Sequence, residues 1–500
     1  MNRSKKAALN LLSQLVLQLV TAVCGFIVPR LILESFGSEV NGLTTSIAQF
    51  LGIIALMESG FGAVAKSAFY KSLAKGDTVG MSGVYNVTES FFRKLALVFL
   101  GYCVVLSLIF PLFQNSEFGY FFVLSLVIII GLSSFVQYYF GMSYTVLLNA
   151  DQNGYISAFL QIISIVLNAI LALILLKLGA SIHIVKLVSA VVFFIRPIAI
   201  NLYCRRKYSI DRSVPQDYDS VSQKWSNFGQ SIALYVHTKT SYVFITFFLG
   251  FVEVSIYAVY SLITTSLSSL ITSISTGFVS GLGNIYTKRE EENFRRVFSL
   301  YEFVNHFASF VCYTIAIITM IPFVKIYTSG VADSAAYILP VFGIILIVGE
   351  LMYCVRLPYY YMITNAGHFK QITKSAYIEA GLNIAISLIL IFPLGLTGLA
   401  IGAGIAMTYR TLFLIGYSSK HITKVPLRIH AKRLLLFASL AVVSVLGGKL
   451  ITYSPSNFAQ WFLYAAVVGV AVIALFGLAS IVFYRDDIKT LLQKMKNMVK

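Results

Sequence analysis

The sequence predicts an all-α polytopic membrane protein of about fourteen transmembrane helices, arranged as two six-helix halves followed by two further helices. Three observations predict it. Of 500 residues, 58% are hydrophobic and 12% are charged, where a soluble chain is about 25% charged. Apolar runs recur along the whole chain, each near the roughly 20 residues a helix needs to cross a bilayer. Finally, one half of the chain is a worn copy of the other, the kind of period that fixes an architecture before any local feature does.

The repeat is clearest in RLPYYYMITNAGHFKQITKSAYIEAGLN, Arg356 to Asn383, which echoes YTVLLNADQNGYISAFLQIISIVLN, Tyr144 to Asn168. Asn365-Ala366 answers Asn149-Ala150, an offset of 216. Tyr360 answers Tyr144, Gly395 answers Gly179, Gly250 answers Gly37, Gly277-Phe278 answers Gly60-Phe61, and Arg410 falls near Arg196. The offset stays within a few residues of 215 across Gly, Asn, Pro and Arg markers.

Candidate spans lie at approximately 10–33, 41–65, 95–113, 119–142, 155–176, 182–203, 229–250, 255–280, 300–323, 332–354, 371–393, 395–417, 432–452 and 461–484. The basic N-terminus leads into the first span without a small-residue cleavage pattern, so that span is read as retained. Lys and Arg gather on one side: Arg3, Lys5 and Lys6; Lys66 to Lys94; Arg205 to Lys224; Lys288 to Arg296; Arg356, Lys370 and Lys374; Lys420 to Arg433; and the tail from Arg485. The other side has Lys177, Lys186, Lys325 and Lys449. The positive-inside rule then places both termini in the cytoplasm. It also accounts for the net charge of +18 without nucleic acid, since no basic run carries interleaved aromatics.

The domain reading follows: 1–207 a six-helix bundle, 208–224 a cytoplasmic linker, 225–419 the second bundle, 420–433 a basic cytoplasmic segment, and 434–500 the last two helices and a basic tail. Six spans per half is even, so the copies share one orientation, a parallel repeat with the substrate path expected between halves. The five cysteines are scattered, with no CxxC or Cys/His cluster, so neither a disulfide framework nor a metal site is indicated. His183, His237, His306 and His368 have no ligand spacing. No GxSxG, P-loop or HExxH occurs. The chain reads as no enzyme and as needing no cofactor, with any coupling supplied by an ion gradient of protons or sodium.

Charges within spans are costly, about 2.5–3.5 kcal/mol on insertion scales, so those present face protein or water. Lys239 is the sharpest: Ser231, Tyr235, Lys239, Tyr242 and Thr246 share one face of the seventh span. Gln14 and Gln18 lie on one face of the first span, Asn41, Thr45 and Gln49 on the second, and Tyr257, Ser261 and Thr264 on the eighth. These stripes are expected to line an aqueous cavity, the alternative for each hydroxyl being ordinary interhelical hydrogen bonding. Arg30, Arg196 and Arg410 are candidates either for substrate contact or for snorkelling anchorage, and Arg356 is a further candidate for substrate contact. Glu58, Glu350 and Glu379 either pair with cations, for Glu379 Lys374 or Arg356, or take up a coupling ion.

ADQNGYISAFLQIISIVLN, the run RLPYYYMITNAGHFKQITKSAYIEAGLNIAISLIL and the following GLTGLAIGAGIA resemble the Wzx-type polysaccharide flippases of the multidrug/oligosaccharidyl-lipid/polysaccharide exporter superfamily. The resemblance covers nearly the whole chain. It implies the MATE-like fold, a bacterial plasma membrane location, and movement of an undecaprenyl-pyrophosphate-linked oligosaccharide to the outer leaflet for surface polysaccharide. It implies membrane lipids, a polysaccharide polymerase and chain-length machinery as partners, and a cationic central cavity. Arg356, Pro358, Asn365, Ala366, Gly367, His368, Lys370, Glu379 and Asn383 match motif positions; Lys239 matches the family's cation on helix 7 in character. A pyrophosphate needs fixed positive charge. Sugars need amides and aromatic faces, which Gln14, Gln18, Tyr235, Tyr242 and Tyr257 offer. A lipid II flippase and an ion-coupled multidrug exporter share the fold; a membrane polymerase or acyltransferase is disfavoured by short outer loops.

Overall fold

The computed structural model describes residues 3–113, 118–221, 228–287, 291–451, 453–485 and 487. They form helices throughout: α1 (Arg3–Leu51), α2 (Ile54–Lys75), α3 (Thr78–Ile109), α4 (Tyr120–Val136), α5 (Met142–Ala150), α6 (Gly154–Lys177), α7 (Ile182–Lys207) and α8 (Phe228–Phe248). There follow α9 (Phe251–Thr287), α10 (Glu291–Tyr327), α11 (Pro340–Val355), α12 (Leu357–Asn365), α13 (Phe369–Ser418), α14 (Leu427–Gly448) and α15 (Phe458–Phe483). Among the described residues eleven helical stretches are long and apolar enough to cross a membrane. Two of them, α1 and α13, are broken at Gly37 and Gly395. Counting each of these as two arms, and adding α8, gives fourteen segments. Large apolar side chains point outward along them, Phe121 79% and Val482 72% exposed, as lipid contact requires. This is a multi-pass, all-helical membrane protein.

The glycines that mark the breaks do so because they reach a left-handed backbone. Gly37 has φ 80° and its repeat counterpart Gly250 has φ 117°; Gly179 has φ 72° and its counterpart Gly395 has φ 53°. The same spacing recurs two residues past α5 and α12, where Gln152 (φ 56°) and Gly367 (φ 79°) turn the chain. The repeat seen in the residues is thus also a repeat of backbone conformation. Capping is local: Asp77 accepts from Gly80 N at 2.8 Å at the start of α3, and Asn457 accepts from Gln460 N at 2.9 Å at the start of α15.

Two compact units divide the chain, residues 1–255 and 256–500. The core of the first centres on Phe92, Leu126 and Leu147, all fully buried, with Tyr85 and Tyr144 rings 4.7 Å apart. The segment 208–221 is fastened along α3 in the same unit. Asn86 donates to the carbonyls of Asp211 (3.0 Å) and Val214 (2.9 Å), and Arg212 and Arg93 share Glu89 at 3.1 and 2.9 Å. Two Ser213 bonds hold the Asp211 carboxyl below the usual range. The expected linker residues Ser222, Gln223 and Lys224 lie outside the described residues.

In the second unit α14 and α15 pack on α10, with Phe437 between Phe310 and Phe476. Several expected boundaries move. The third and ninth spans begin well before residues 95 and 300, at Thr78 and Glu291. The tenth runs on as α11 and α12 to Asn365. Arg356, expected in a loop, therefore sits inside the span, at the junction of α11 and α12, and is 5% exposed. Its charge is what moved the expected boundary; a carboxylate next to it accounts for its burial.

Candidate functional site

Lys239 lies on α8, half-buried, and its stripe faces the second arm of α1 within the first unit. Three polar contacts run along that seam. Lys239 Nζ donates to Gln49 Oε1 at 2.6 Å, the Ser46 and Thr246 hydroxyls are 2.9 Å apart, and Asn41 Nδ2 donates to Ser255 Oγ, on α9, at 2.7 Å. Positions ascend on α1 as they descend from α9 to α8, so the two sides run antiparallel. Gly42 allows the approach: a Cβ there would stand 1.8 Å from the Phe251 carbonyl oxygen. Tyr242 is buried on the same face and Tyr235, nearer the start of α8, is half-buried. The side chains of Ser231 and His237 lie outside those described.

The identity of the group facing the lysine matters. A carboxylate would cancel its charge. An amide oxygen orients the ammonium and leaves its unit charge available, while meeting the need of a buried polar group for a hydrogen bond. Among the described residues the seam is therefore cationic at Lys239 and otherwise neutral.

The other expected site residues fall into separate groups. In the first unit Glu58 accepts from Tyr138 OH at 2.5 Å and interacts electrostatically with Arg196, whose Nη2 donates to Ser157 Oγ at 3.0 Å. Gln14 is exposed; Gln18 and Arg30 are half-buried on α1. In the second unit Arg356 Nη1 and Arg410 Nη1 each lie 2.6 Å from one oxygen of Glu379. Glu379 is 2% exposed, and Asn383, one turn on, receives Ser387 Oγ at 3.1 Å. Glu350 is close enough to Arg356 to add its field. Tyr257 is half-buried, its ring 6.1 Å from Phe342. Local hydrogen bonds engage three histidines: His183 with Ser125 at 2.9 Å, His306 with the Val355 carbonyl at 3.2 Å, and His368 with Tyr417 at 2.9 Å. Among the described residues no group of three or more His, Cys, Asp or Glu is placed to hold a metal ion.

One cluster escaped the sequence reading. Glu302 on α10 accepts from Arg433 at 3.0 Å, lies 2.6 Å from His430 Nδ1, and is bonded by Tyr359. Arg433 also reaches Asp487 at 2.8 Å and the Ser299 carbonyl at 3.0 Å. His430 and Arg433 sit in a run that reads as a basic loop but forms the first turns of α14. The available signal was Glu302, an acid at the start of an apolar span with no Lys or Arg three or four residues away.

No protein-family model matches the sequence, and no curated protein matches it. Solved structures do match its fold. A lipid II flippase MurJ in an inward closed conformation aligns over 96% of this chain and 100% of its own, with TM-score 0.72 and 17% identity. An inward-facing MATE-family multidrug resistance transporter of the MOP superfamily aligns over 82% and 95%, with TM-score 0.63 and 16% identity. A MOP superfamily transporter from Pyrococcus furiosus, described as having a binding pocket of reverse polarity, aligns over 84% and 94%, with TM-score 0.57 and 15% identity.

Proposed function

We propose that this protein is a flippase that carries undecaprenyl-pyrophosphate-linked oligosaccharide units across the bacterial plasma membrane by alternating access, for surface polysaccharide. The observation that carries the proposal is Lys239, an intramembrane ammonium whose hydrogen-bond acceptor is the neutral Gln49 amide at 2.6 Å. Such a charge is costly unless it meets water or an anion, and the pyrophosphate is that anion. Binding by charge, without a dense ring of donors, also suits a carrier that must release its load. Tyr235, half-buried nearer the start of α8, offers a flat face to a sugar ring. Glu58, Glu350 and Glu379 remain the proposed places for a coupling ion, and the termini are proposed to face the cytoplasm. The fold shared with flippases and multidrug transporters supports the transporter class, and the run from Arg356 to Asn383 supports the polysaccharide branch.

A second reading, a lipid II flippase, is favoured by the near-complete alignment with MurJ. The two differ in the glycan and share the pyrophosphate, so Lys239 serves both.

The test is export of surface polymer in a strain lacking its own flippase. Lys239→Arg should retain much of the export, Lys239→Ala should lose most, and Lys239→Glu should abolish it at normal membrane levels. Full export by a well-expressed Lys239→Glu protein overturns the proposal. Rescue of a strain depleted of its lipid II flippase, without polymer export, selects the second reading.

A further inference from the structure

The last turn of α13 and the first of α14 are joined by a short basic segment, SKHITKVPLR, residues 419–428, whose shape is fixed internally. Residues 419–423 form one π-helical turn, Lys424 turns the chain at φ 54°, and Ser419 Oγ donates to the Val425 carbonyl at 2.5 Å. The start of α13 is brought beside this segment: His368 bonds Tyr417, whose ring lies 4.6 Å from that of His421.

The rotation of α14 is set by its buried side. His430 and Arg433, three apart, are 1% and 2% exposed and pinned to Glu302. With those two held inward, Arg428 and Lys432, four apart, are turned outward and exposed. Lys420 and Lys370 are exposed as well. Between them stand apolar side chains that a water-facing loop would not present: Leu427 54%, Phe369 45% and Ile429 44% exposed. From residue 366 to 433 the sequence holds one acid, Glu379, which is buried and paired with two arginines. These elements therefore supply no exposed countercharge to the outward cations. Cations interleaved with apolar side chains at the ends of spans fit the region where headgroups meet acyl chains.

We infer that this end of the second unit is a docking surface for anionic phospholipid headgroups, with Lys370, Lys420, Arg428 and Lys432 meeting lipid phosphates while Leu427 and Ile429 enter the acyl region. It lies on the side that the Lys/Arg asymmetry assigns to the cytoplasm, the leaflet whose anionic lipids attract such clusters. Its effect is to hold the ends of α13 and α14 at a fixed depth. The inference is independent of the transported substrate, because none of these residues belongs to the Lys239 seam.

The test uses the full chain reconstituted in vesicles of phosphatidylcholine with 20–30% phosphatidylglycerol, a composition of roughly that order giving a charged surface. Spin-labelled phosphatidylglycerol or phosphatidylcholine reports the lipid held at the protein. The wild type should prefer phosphatidylglycerol, and high salt should weaken the preference. Lys420→Gln/Arg428→Gln/Lys432→Gln should lower it several-fold, with helix content and export unchanged. Should the triple variant not fold, Lys432→Gln alone is measured, with a smaller fall of about twofold. Equal retention of the two lipids by the wild type, an unchanged preference in the folded variant, or its loss on adding soluble glycerol phosphate each overturns the inference.

Discussion

Glu379 holds two guanidiniums with one carboxylate, and that imbalance decides how the site responds to substitution. With Arg356 and Arg410 both at 2.6 Å, Glu379→Gln leaves two buried cations facing each other. Breaking a buried pair by removing one partner costs about 3–5 kcal/mol, and here the removed group serves two. Arg410→Leu leaves a one-to-one pair and should cost less. Thermal unfolding of the purified proteins in detergent checks the order: Glu379→Gln lowest, Arg410→Leu between it and the wild type. Glu379 and Arg410 were legible as intramembrane charges. Their grouping was legible only in part, because Arg356 was read as lying in a loop. A second residue-scale prediction concerns Gln49. Gln49→Glu puts a carboxylate against Lys239 without altering the lysine, and a pair at that distance cancels its field. Surface polymer should fall nearly as far as with Lys239→Ala, at normal membrane levels. Export equal to wild type would show that the lysine's net charge is not what matters.

At the scale of the element, the helix pairs are made by what is absent as much as by what is present. Gly42 is the point where α1 meets the start of α9, and a methyl there would overlap the Phe251 carbonyl, 1.8 Å away. The backbones must separate to admit it, which pulls apart the Ser46–Thr246 and Gln49–Lys239 contacts along the same seam. Gly42→Ala should therefore lower both the thermal midpoint and export, whereas Gly25→Ala, where a Cβ meets nothing within 4 Å, should change neither. A midpoint unchanged in Gly42→Ala would mean that the seam is looser than its geometry. The existence and order of the helices were legible, because lipid demands long apolar runs. Their ends were not. Charged and polar turns such as those opening α3 and α10 extend beyond the apolar stretch, so hydropathy stops short of the helix. The basic run before residue 434 looked like a loop for the same reason, although its second half forms the first turns of α14, with His430 and Arg433 held inward by Glu302.

For the whole molecule, the sequence carries two independent regularities, a repeat with an offset near 215 and a one-sided distribution of Lys and Arg. The repeat reappears in the backbone at corresponding glycines, Gly37 with Gly250 and Gly179 with Gly395, which all turn the chain at positive φ. The charge distribution predicts an orientation in the bilayer. Ser220 lies at the end of the segment fastened to α3 and is exposed, and Ser456 lies between α14 and α15 and is exposed. Five helical segments at least 21 residues long separate α8 from α14 when the two arms of α13 are counted apart and α11 and α12 together. With α8 and α14 themselves, seven crossings lie between the two serines. An odd number of crossings puts the serines on opposite faces, and the Lys/Arg excess puts Ser220 inside. In a chain whose five native cysteines are replaced, Ser456→Cys should react with an impermeant maleimide added to intact cells. Ser220→Cys should react only after the membrane is opened. Labelling of both from outside would mean an even number of crossings, and then one of the fourteen segments does not span; labelling of Ser220→Cys alone would keep the count and reverse the orientation.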